Sequence, residues 1–132
     1  MEININEGLS QIVERTVTGK DLASRVGSGL VEVYATPAMI ALMEEASHRC
    51  VGNYLPEGYI TVGIEIHVRH LKPTPRGMKV KCESVLKKAD GLKLFFEVEV
   101  WDEEGRIGSG THTRYVVNKN DFIRKAAGLT NR

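Results

Sequence analysis

Glu44 is the residue whose type and position first suggest chemistry. It lies in the stretch YATPAMIALMEEASHRC, residues 34–50, at the edge of an apolar helix face, where an unpaired carboxylate is costly. An ion pair with Arg49 or a lysine, or exposure to solvent, would explain it without any function. The alternative is that the carboxylate faces a pocket, where it could attack a carbonyl carbon or activate water.

Two further residues could take part in such chemistry. Thr36 is predicted at the start of the same helix, and His70 continues the core-facing phase of the strand YITVGIEIHVRHL to its end. Free N–H groups at a helix start can stabilise negative charge that develops on a carbonyl oxygen. His70 also has a purely structural reading, as a histidine at the rim of the core that is hydrogen-bonded to backbone.

The spacing of Thr36 and Glu44 has a consequence for the assembly. Eight residues of helix separate them by about 12 Å along the axis, at about 1.5 Å per residue, which is too far for one compact cluster within a single chain. If two helices lie antiparallel across a two-fold axis, the start of one meets the middle of the other. The sequence therefore favours a homodimer whose site forms at the interface.

Other patterns of potentially functional residues are weaker. Glu45-x-x-His48 has the spacing of a carboxylate-bridged metal site, but such sites need further acids on neighbouring helices. His67 and His70 lie on opposite faces of a strand and cannot chelate one ion together. The sequence GRIGSG lies on a predicted strand and does not open a helix, so it predicts no nucleotide site. No metal and no other cofactor are expected.

Hydrophobic periodicity predicts the elements that hold these residues. A strand is predicted over residues 11–17, and a helix over 36–51 with Thr36 as its N-cap and Pro37 as its first residue. The segment between them, 18–29, is rich in Gly, Ser and charge and is predicted to be a loop or a mobile flap. The buried helix face is predicted from apolar residues at helical spacing: Met39, Met43, Ala46 and Cys50.

Four alternating strands are predicted to follow the helix, at residues 59–71, 78–86, 92–101 and 106–117, before a short terminal helix. In the first of these strands, four apolar residues are predicted to share the core-facing side: Val62, Ile64, Ile66 and Val68. One long central helix wrapped by an antiparallel β-sheet is a two-layer α+β domain, the arrangement called the hotdog fold.

Composition limits the classes of protein that fit. The 132 residues suit one domain over 1–132, and a formal net charge of +1 argues against a nucleic-acid or membrane-surface protein. No apolar run approaches the roughly 20 residues of a membrane span, and the start lacks a signal-peptide pattern. Cys50 and Cys82 are expected to be reduced core thiols, in keeping with a cytoplasmic protein.

Three segments carry a resemblance to a known family. In order, YATPAMIALMEEAS, VGIEIHVRHLKPTPRGMKV and EEGRIGSGTHTRYVV are similar to the fluoroacetyl-CoA thioesterase family of hotdog proteins. The resemblance implies hydrolysis of an acyl-CoA thioester, with Thr36, Glu44 and His70 as the catalytic residues and Gly63 beside the substrate. On this basis Glu44 acts as nucleophile or general base, and His70 handles the proton or the developing charge.

The resemblance also implies how the substrate binds. The CoA phosphates need cations at the pocket mouth, for which the candidates are Arg69, Lys72, Arg76 and Arg114. Family members that select the fluorinated acyl group have an apolar, aromatic lid, whereas residues 18–29, TGKDLASRVGSG, contain no aromatic side chain. We therefore expect a small or medium acyl-CoA as the substrate.

Two other functions remain as alternatives at this point. A non-catalytic hotdog module that binds acyl-CoA would keep the pocket without needing Glu44. A hotdog dehydratase would need a His and Asp pair, which is disfavoured because no Asp lies between Asp21 and Asp90. The sequence leaves open whether dimers associate further into a dimer of dimers.

Overall fold

The computed structural model describes residues 3–128 and contains the five predicted strands in one antiparallel sheet. The strands are β1 (Ser10–Thr16), β2 (Tyr59–His70), β3 (Lys79–Asp90), β4 (Lys93–Asp102) and β5 (Gly105–Asn118). Their order across the sheet is β1-β3-β4-β5-β2, so β1 and β2 are the two edge strands. The largest difference from the predicted bounds is in β3, which continues to Asp90.

Three α-helices accompany the sheet. They are α1 (Ala23–Val26), α2 (Thr36–Gly52) and α3 (Lys119–Ala126). The long α2 packs on one face of the sheet, which confirms the two-layer α+β hotdog arrangement. Among the described residues, no helix is long and apolar enough to cross a membrane.

The core lies between α2 and the sheet, and it contains the predicted helix face. Met39, Met43 and Ala46 have no exposed surface, and they pack with apolar side chains of the inner strands. Burying each large apolar side chain contributes about 1.5–3 kcal/mol to folding. Cys50 and Cys82 are both buried and unpaired, as expected for core thiols.

The start of α2 differs by one residue from the prediction. Ala35 is the N-cap, so Thr36 is the first helical residue and Pro37 the second. Proline is tolerated in the first turn because its missing N–H has no helical partner there. Since the cap position belongs to an alanine, the Thr36 hydroxyl does not cap the helix and is available for another hydrogen bond.

Residues 18–29 were predicted to be a loop or a mobile flap, and the structure instead gives them two short helical elements. The segment contains a 3-10 turn, Gly19–Asp21, followed by α1. The Asp21 carboxylate accepts hydrogen bonds from the Thr18 N–H at 2.8 Å and the Thr18 hydroxyl at 2.9 Å, and the first of these is one half of a capping box between the two residues. The Asp21 carbonyl accepts a bond from the Ala35 N–H at 2.8 Å, which ties the segment to the start of α2.

The core-facing phase of β2 changes partway along the strand. A β-bulge between Gly63 and Glu65 shifts the register against β5 and leaves Ile64 53% exposed. Thr61 is buried before the bulge, and Ile66 packs against the core after it. The prediction that Val62 and Ile64 share the core side with Ile66 is therefore wrong, because one extra residue reverses the alternation.

Candidate active site

Thr36 and His70 form the first group of candidate site residues. The Thr36 hydroxyl and the His70 Nδ1 share a hydrogen bond of 2.8 Å, which joins the first turn of α2 to the last residue of β2. This contact arises because α2 runs back along β2, so that the start of the helix meets the end of the strand. The rim position predicted for His70 is confirmed, and its partner is a side chain rather than backbone.

The surroundings of His70 keep its imidazole neutral. Burial lowers the pKa of His70 below its ordinary value near 6.5. The ring of Tyr34 packs edge-on against the imidazole, with the centroids 6.4 Å apart. Among residues 3–128 the buried Nε2 atom has no hydrogen-bond partner. A buried polar atom without a partner is costly, and it is suited to a hydrogen bond with a bound molecule.

A cavity of about 350 Å³ opens beside this pair. Its wall contains Thr36 and His70 themselves, together with Tyr34, Val33 and Lys72. The cavity is mostly apolar in its lining and has one cation at its rim, which suits a ligand with an apolar part and a charged part.

Glu44 lies in the middle of α2, on the side that faces β2. Its Oε2 atom is only 2.6 Å from the position that a Cβ on Gly63 would occupy, so glycine at that position leaves room for the carboxylate. The neighbouring Glu45 is the acid that pairs with Arg49, at 2.8 Å, and it also contacts Arg15. The predicted alternative of a Glu44–Arg49 pair is therefore not found.

Arg114 is the cation next to Glu44. Its Nη1 atom lies 3.7 Å from the Glu44 carboxylate, and the residue is only 6% exposed. The guanidinium also donates to the Thr61 hydroxyl and carbonyl, both at 2.8 Å. The prediction of Arg114 as a cation at the pocket mouth is wrong, because the side chain lies inward from β5 under Glu44.

His112 completes the group beneath Glu44. Its Nδ1–H donates to the Glu65 carbonyl at 2.8 Å, so its Nε2 accepts from the Arg114 Nη1–H at 3.0 Å. Burial is the main cause that lowers the pKa of His112, and the Arg114 charge lowers it as well. The result is a fixed, neutral imidazole that holds Arg114 in place.

The inward-facing positions of His112 and Arg114 were not predicted from the sequence, although the alternation along β5 indicates them. On β5, His112 and Arg114 alternate in phase with Val116, which is buried. Following that phase backwards along the strand would have predicted both side chains on the inner face. The pattern was missed because an inner strand face is usually recognised by apolar residues, and these two residues are polar or charged.

The remaining candidate cations lie nearer the surface. Lys72 pairs with Asp102 at 3.4 Å and Glu104 at 3.8 Å, and it borders the cavity beside His70. Arg69 is exposed on β2. Arg76 is exposed and lies over the backbone of Gly19.

The histidines make a testable contribution to stability. Burial lowers the pKa values of His48, His70 and His112, so the unfolded chain binds protons before the folded chain does as the pH falls through about 6.5. We expect the melting temperature to fall between about pH 7.5 and 5.5, and His112→Asn to reduce this slope. Thermal unfolding followed by circular dichroism across this pH range tests both statements. A melting temperature that rises on acidification would contradict them.

The candidate residues thus form two groups in one chain. Thr36 and His70 are in contact at the start of α2, whereas Glu44 and Gly63 are in contact two helical turns further along. Eight residues of helix span about 12 Å, so one small substrate cannot contact both groups of the same chain with its reacting atoms.

Comparison with known proteins identifies the family. Residues 17–120 match the family described as fluoroacetyl-CoA-specific thioesterase. A curated relative, the fluoroacetyl-CoA thioesterase of Streptantibioticus cattleyicolor, is 38% identical over 99 residues, which is 75% of this chain and 71% of the relative.

Solved structures agree with this assignment. A structure of a fluoroacetyl-CoA thioesterase superposes with a TM-score of 0.90 at 29% identity, covering 97% of this chain and 99% of that chain. A Thermus thermophilus protein described as a thioesterase superfamily member gives a TM-score of 0.87 at 29% identity, covering 96% and 93% of the two chains. Because the family match spans most of the sequence and the curated relative covers three-quarters of it, the chain belongs to the fluoroacetyl-CoA-specific thioesterase family and is a hotdog-fold thioesterase.

Proposed function

We propose that the protein hydrolyses small or medium acyl-CoA thioesters at a site shared by the two protomers of a homodimer. Glu44 and Gly63 come from one protomer, and Thr36 and His70 come from its partner. The observation that carries the proposal is the separation of these two groups within one chain, each beside the edge strand β2.

The free edge of β2 supports this assembly. If two copies of the strand pair antiparallel about His67, with the extra bulge residue Ile64 left unpaired, Gly63 of one protomer lies opposite His70 of the other. Both positions are on the helix-facing side of the sheet, because the bulge at Ile64 reverses the alternation between them. Such pairing would also satisfy the backbone groups along an edge strand of twelve residues.

Glu44 supplies the attack on the thioester in this mechanism. Its carboxylate either adds to the acyl carbon directly or removes a proton from a water molecule that adds there. Gly63 beneath it lets the substrate carbonyl approach the backbone closely. The buried Arg114 guanidinium lies 3.7 Å from the carboxylate and places a positive charge beside it.

Thr36 and His70 act on the other side of the acyl carbon. The negative charge that develops on the carbonyl oxygen is stabilised by backbone N–H groups of Gly63 or of the first turn of α2. The unpartnered Nε2 of His70 faces this charge or the transferred proton, and Thr36 fixes the imidazole through Nδ1. The departing thiolate has an acid pKa of about 8.5 and needs little help from a general acid.

The CoA phosphates have candidate partners outside the acyl site. Arg76 and Arg25 each place a guanidinium nitrogen within 3.5 Å of the Cβ position of Gly19, and neither has a carboxylate partner among the described residues. Asp21, which could pair with Arg25 four residues later, is already bonded to Thr18. Two such cations close together suit a phosphate, with Lys72 and Arg69 as further contacts.

The buried thiols bear on where this chemistry takes place. Cys50 and Cys82 are unpaired, as is usual in a reducing compartment, which supports the cytoplasm as the proposed location.

Gly63→Ala is expected to reduce kcat/KM for thioester hydrolysis by about 10²-fold, because a misplaced catalytic group is costly even when binding survives. The added methyl group would lie 2.6 Å from the present Glu44 Oε2 position and displace the carboxylate. Gly52→Ala is the matched control, since a Cβ there meets nothing within 4 Å. Unchanged activity in Gly63→Ala would contradict the proposal that Glu44 acts from its present position above Gly63.

The experiment that tests the proposed function is release of CoA thiol from acetyl, fluoroacetyl, butyryl, hexanoyl and phenylacetyl thioesters. We expect turnover of at least one small or medium acyl group. If none is hydrolysed while CoA thioesters still bind in calorimetry, the non-catalytic acyl-CoA-binding module becomes the better assignment.

A further inference from the structure

Two separate cavities meet at Tyr34. The first is the cavity of about 350 Å³ beside Thr36 and His70. The second, of about 330 Å³, lies between the end of β1, the 3-10 turn and α2. Within residues 3–128, Tyr34 is the residue that lines both of them.

The Tyr34 side chain is held firmly in this position. The residue is 4% exposed. On one side its ring contacts the His70 ring edge-on, with the centroids 6.4 Å apart and the ring planes at 83°. On the other side its hydroxyl donates to the Ala38 carbonyl at 3.4 Å. The ring also packs in the core cluster with Leu22 and Met39. It therefore stands between the catalytic histidine and the second cavity.

The second cavity has a lining that the proposed mechanism does not use. Its apolar lining includes Ala38, Leu42 and Val80, of which Leu42 and Val80 are buried. Its outer rim carries charged residues, among them Lys20 and Glu45. An apolar interior with a polar rim is suited to a hydrocarbon chain rather than to a charged group.

We propose that the Tyr34 ring is a partition that limits the length of the acyl chain. This inference rests on the proposed function and identifies Tyr34 as a residue that determines substrate specificity. The acyl group occupies the first cavity and ends at the Tyr34 ring. Removal of the ring joins the two cavities, and the apolar lining around Leu42 and Val80 then accepts additional methylenes.

The test compares kcat/KM for straight-chain acyl-CoA thioesters from acetyl to dodecanoyl in the wild type and three variants. Tyr34→Phe keeps the ring and is expected to keep the wild-type chain-length limit. Tyr34→Ala and Tyr34→Leu are expected to shift the optimum to longer chains, with a gain of about fourfold for each extra buried methylene. If either opened variant is folded and active with the wild-type chain-length profile, the partition is overturned.

A second measurement does not depend on turnover. Straight-chain carboxylates from butanoate to decanoate are added to each protein, and the melting temperature is recorded, because a ligand that binds only the folded state raises it. The expected result is that decanoate raises the melting temperature of Tyr34→Leu more than that of wild type or Tyr34→Phe. Equal shifts in all three proteins would overturn the inference. Absence of wild-type turnover would instead contradict the proposed function, and the carboxylate series would still decide the role of Tyr34.

Discussion

Glu44→Gln is expected to lower kcat/KM for acyl-CoA hydrolysis by about 10³-fold, because an amide can neither attack the acyl carbon nor accept a proton from water. The amide has nearly the same shape as the carboxylate, so it fits the space above Gly63. Arg114 keeps its hydrogen bonds to Thr61 and His112. The loss should therefore appear in turnover rather than in folding, and thiol release with a melting curve measures both.

Glu45→Gln is the matched control for this variant. Glu45 is the adjacent acid on α2, but it pairs with Arg15 and Arg49 on the far side of the helix from Gly63. Removing its charge should leave kcat/KM within about twofold of wild type, since exposed ion pairs contribute little. Equal losses in the two variants would show that the effect of Glu44 is not specific.

His70→Gln is expected to reduce kcat by about 10²-fold, as is typical when a group that handles a proton or developing charge is lost. Glutamine preserves much of the volume but cannot provide the imidazole nitrogen that is buried and unpartnered at Nε2. Because burial lowers the pKa of His70, wild-type kcat should hold at neutral pH and fall on acidification. A pH profile of kcat, measured with saturating substrate, separates this role from a structural one.

His67→Gln is the control for His70. His67 is three residues earlier on β2, and its side chain lies on the opposite face of the sheet from His70, where it pairs with Glu65 at 2.9 Å. We expect its kcat and its pH profile to match wild type. If kcat of His70→Gln still falls on acidification, a group other than His70 is responsible for that fall.

Hydrophobic periodicity was sufficient to predict the architecture. The helix face of Met39, Met43 and Ala46 is buried as expected, because apolar residues at helical spacing have few alternatives to packing on the sheet. The strands followed from alternation in the same way. The rim position of His70 was also predicted by phase, since no irregularity lies between Ile66 and the end of β2.

Interactions between residues distant in the sequence could not be predicted in this way. The bulge at Ile64 changes the strand phase, and the isolated glycine beside it, Gly63, was a local sign of a bulge that alternation alone does not use. Arg114 was expected at the pocket mouth as a cation for the CoA phosphates. Its burial depends on Thr61, His112 and Glu44 converging from three elements, which only the tertiary structure brings together. The capping box that orders residues 18–21 was likewise missed beneath a glycine-rich composition.

The most direct test of a shared active site is complementation between two inactive variants. Glu44→Gln and His70→Gln are mixed in equal amounts, dissociated and allowed to reassociate. In a mixed dimer, one of the two sites carries both substitutions and the other carries neither, so random pairing should restore about one quarter of wild-type activity. Recovery to that level is the result the account predicts. Mixed dimers that form and remain inactive would contradict a site built from both protomers.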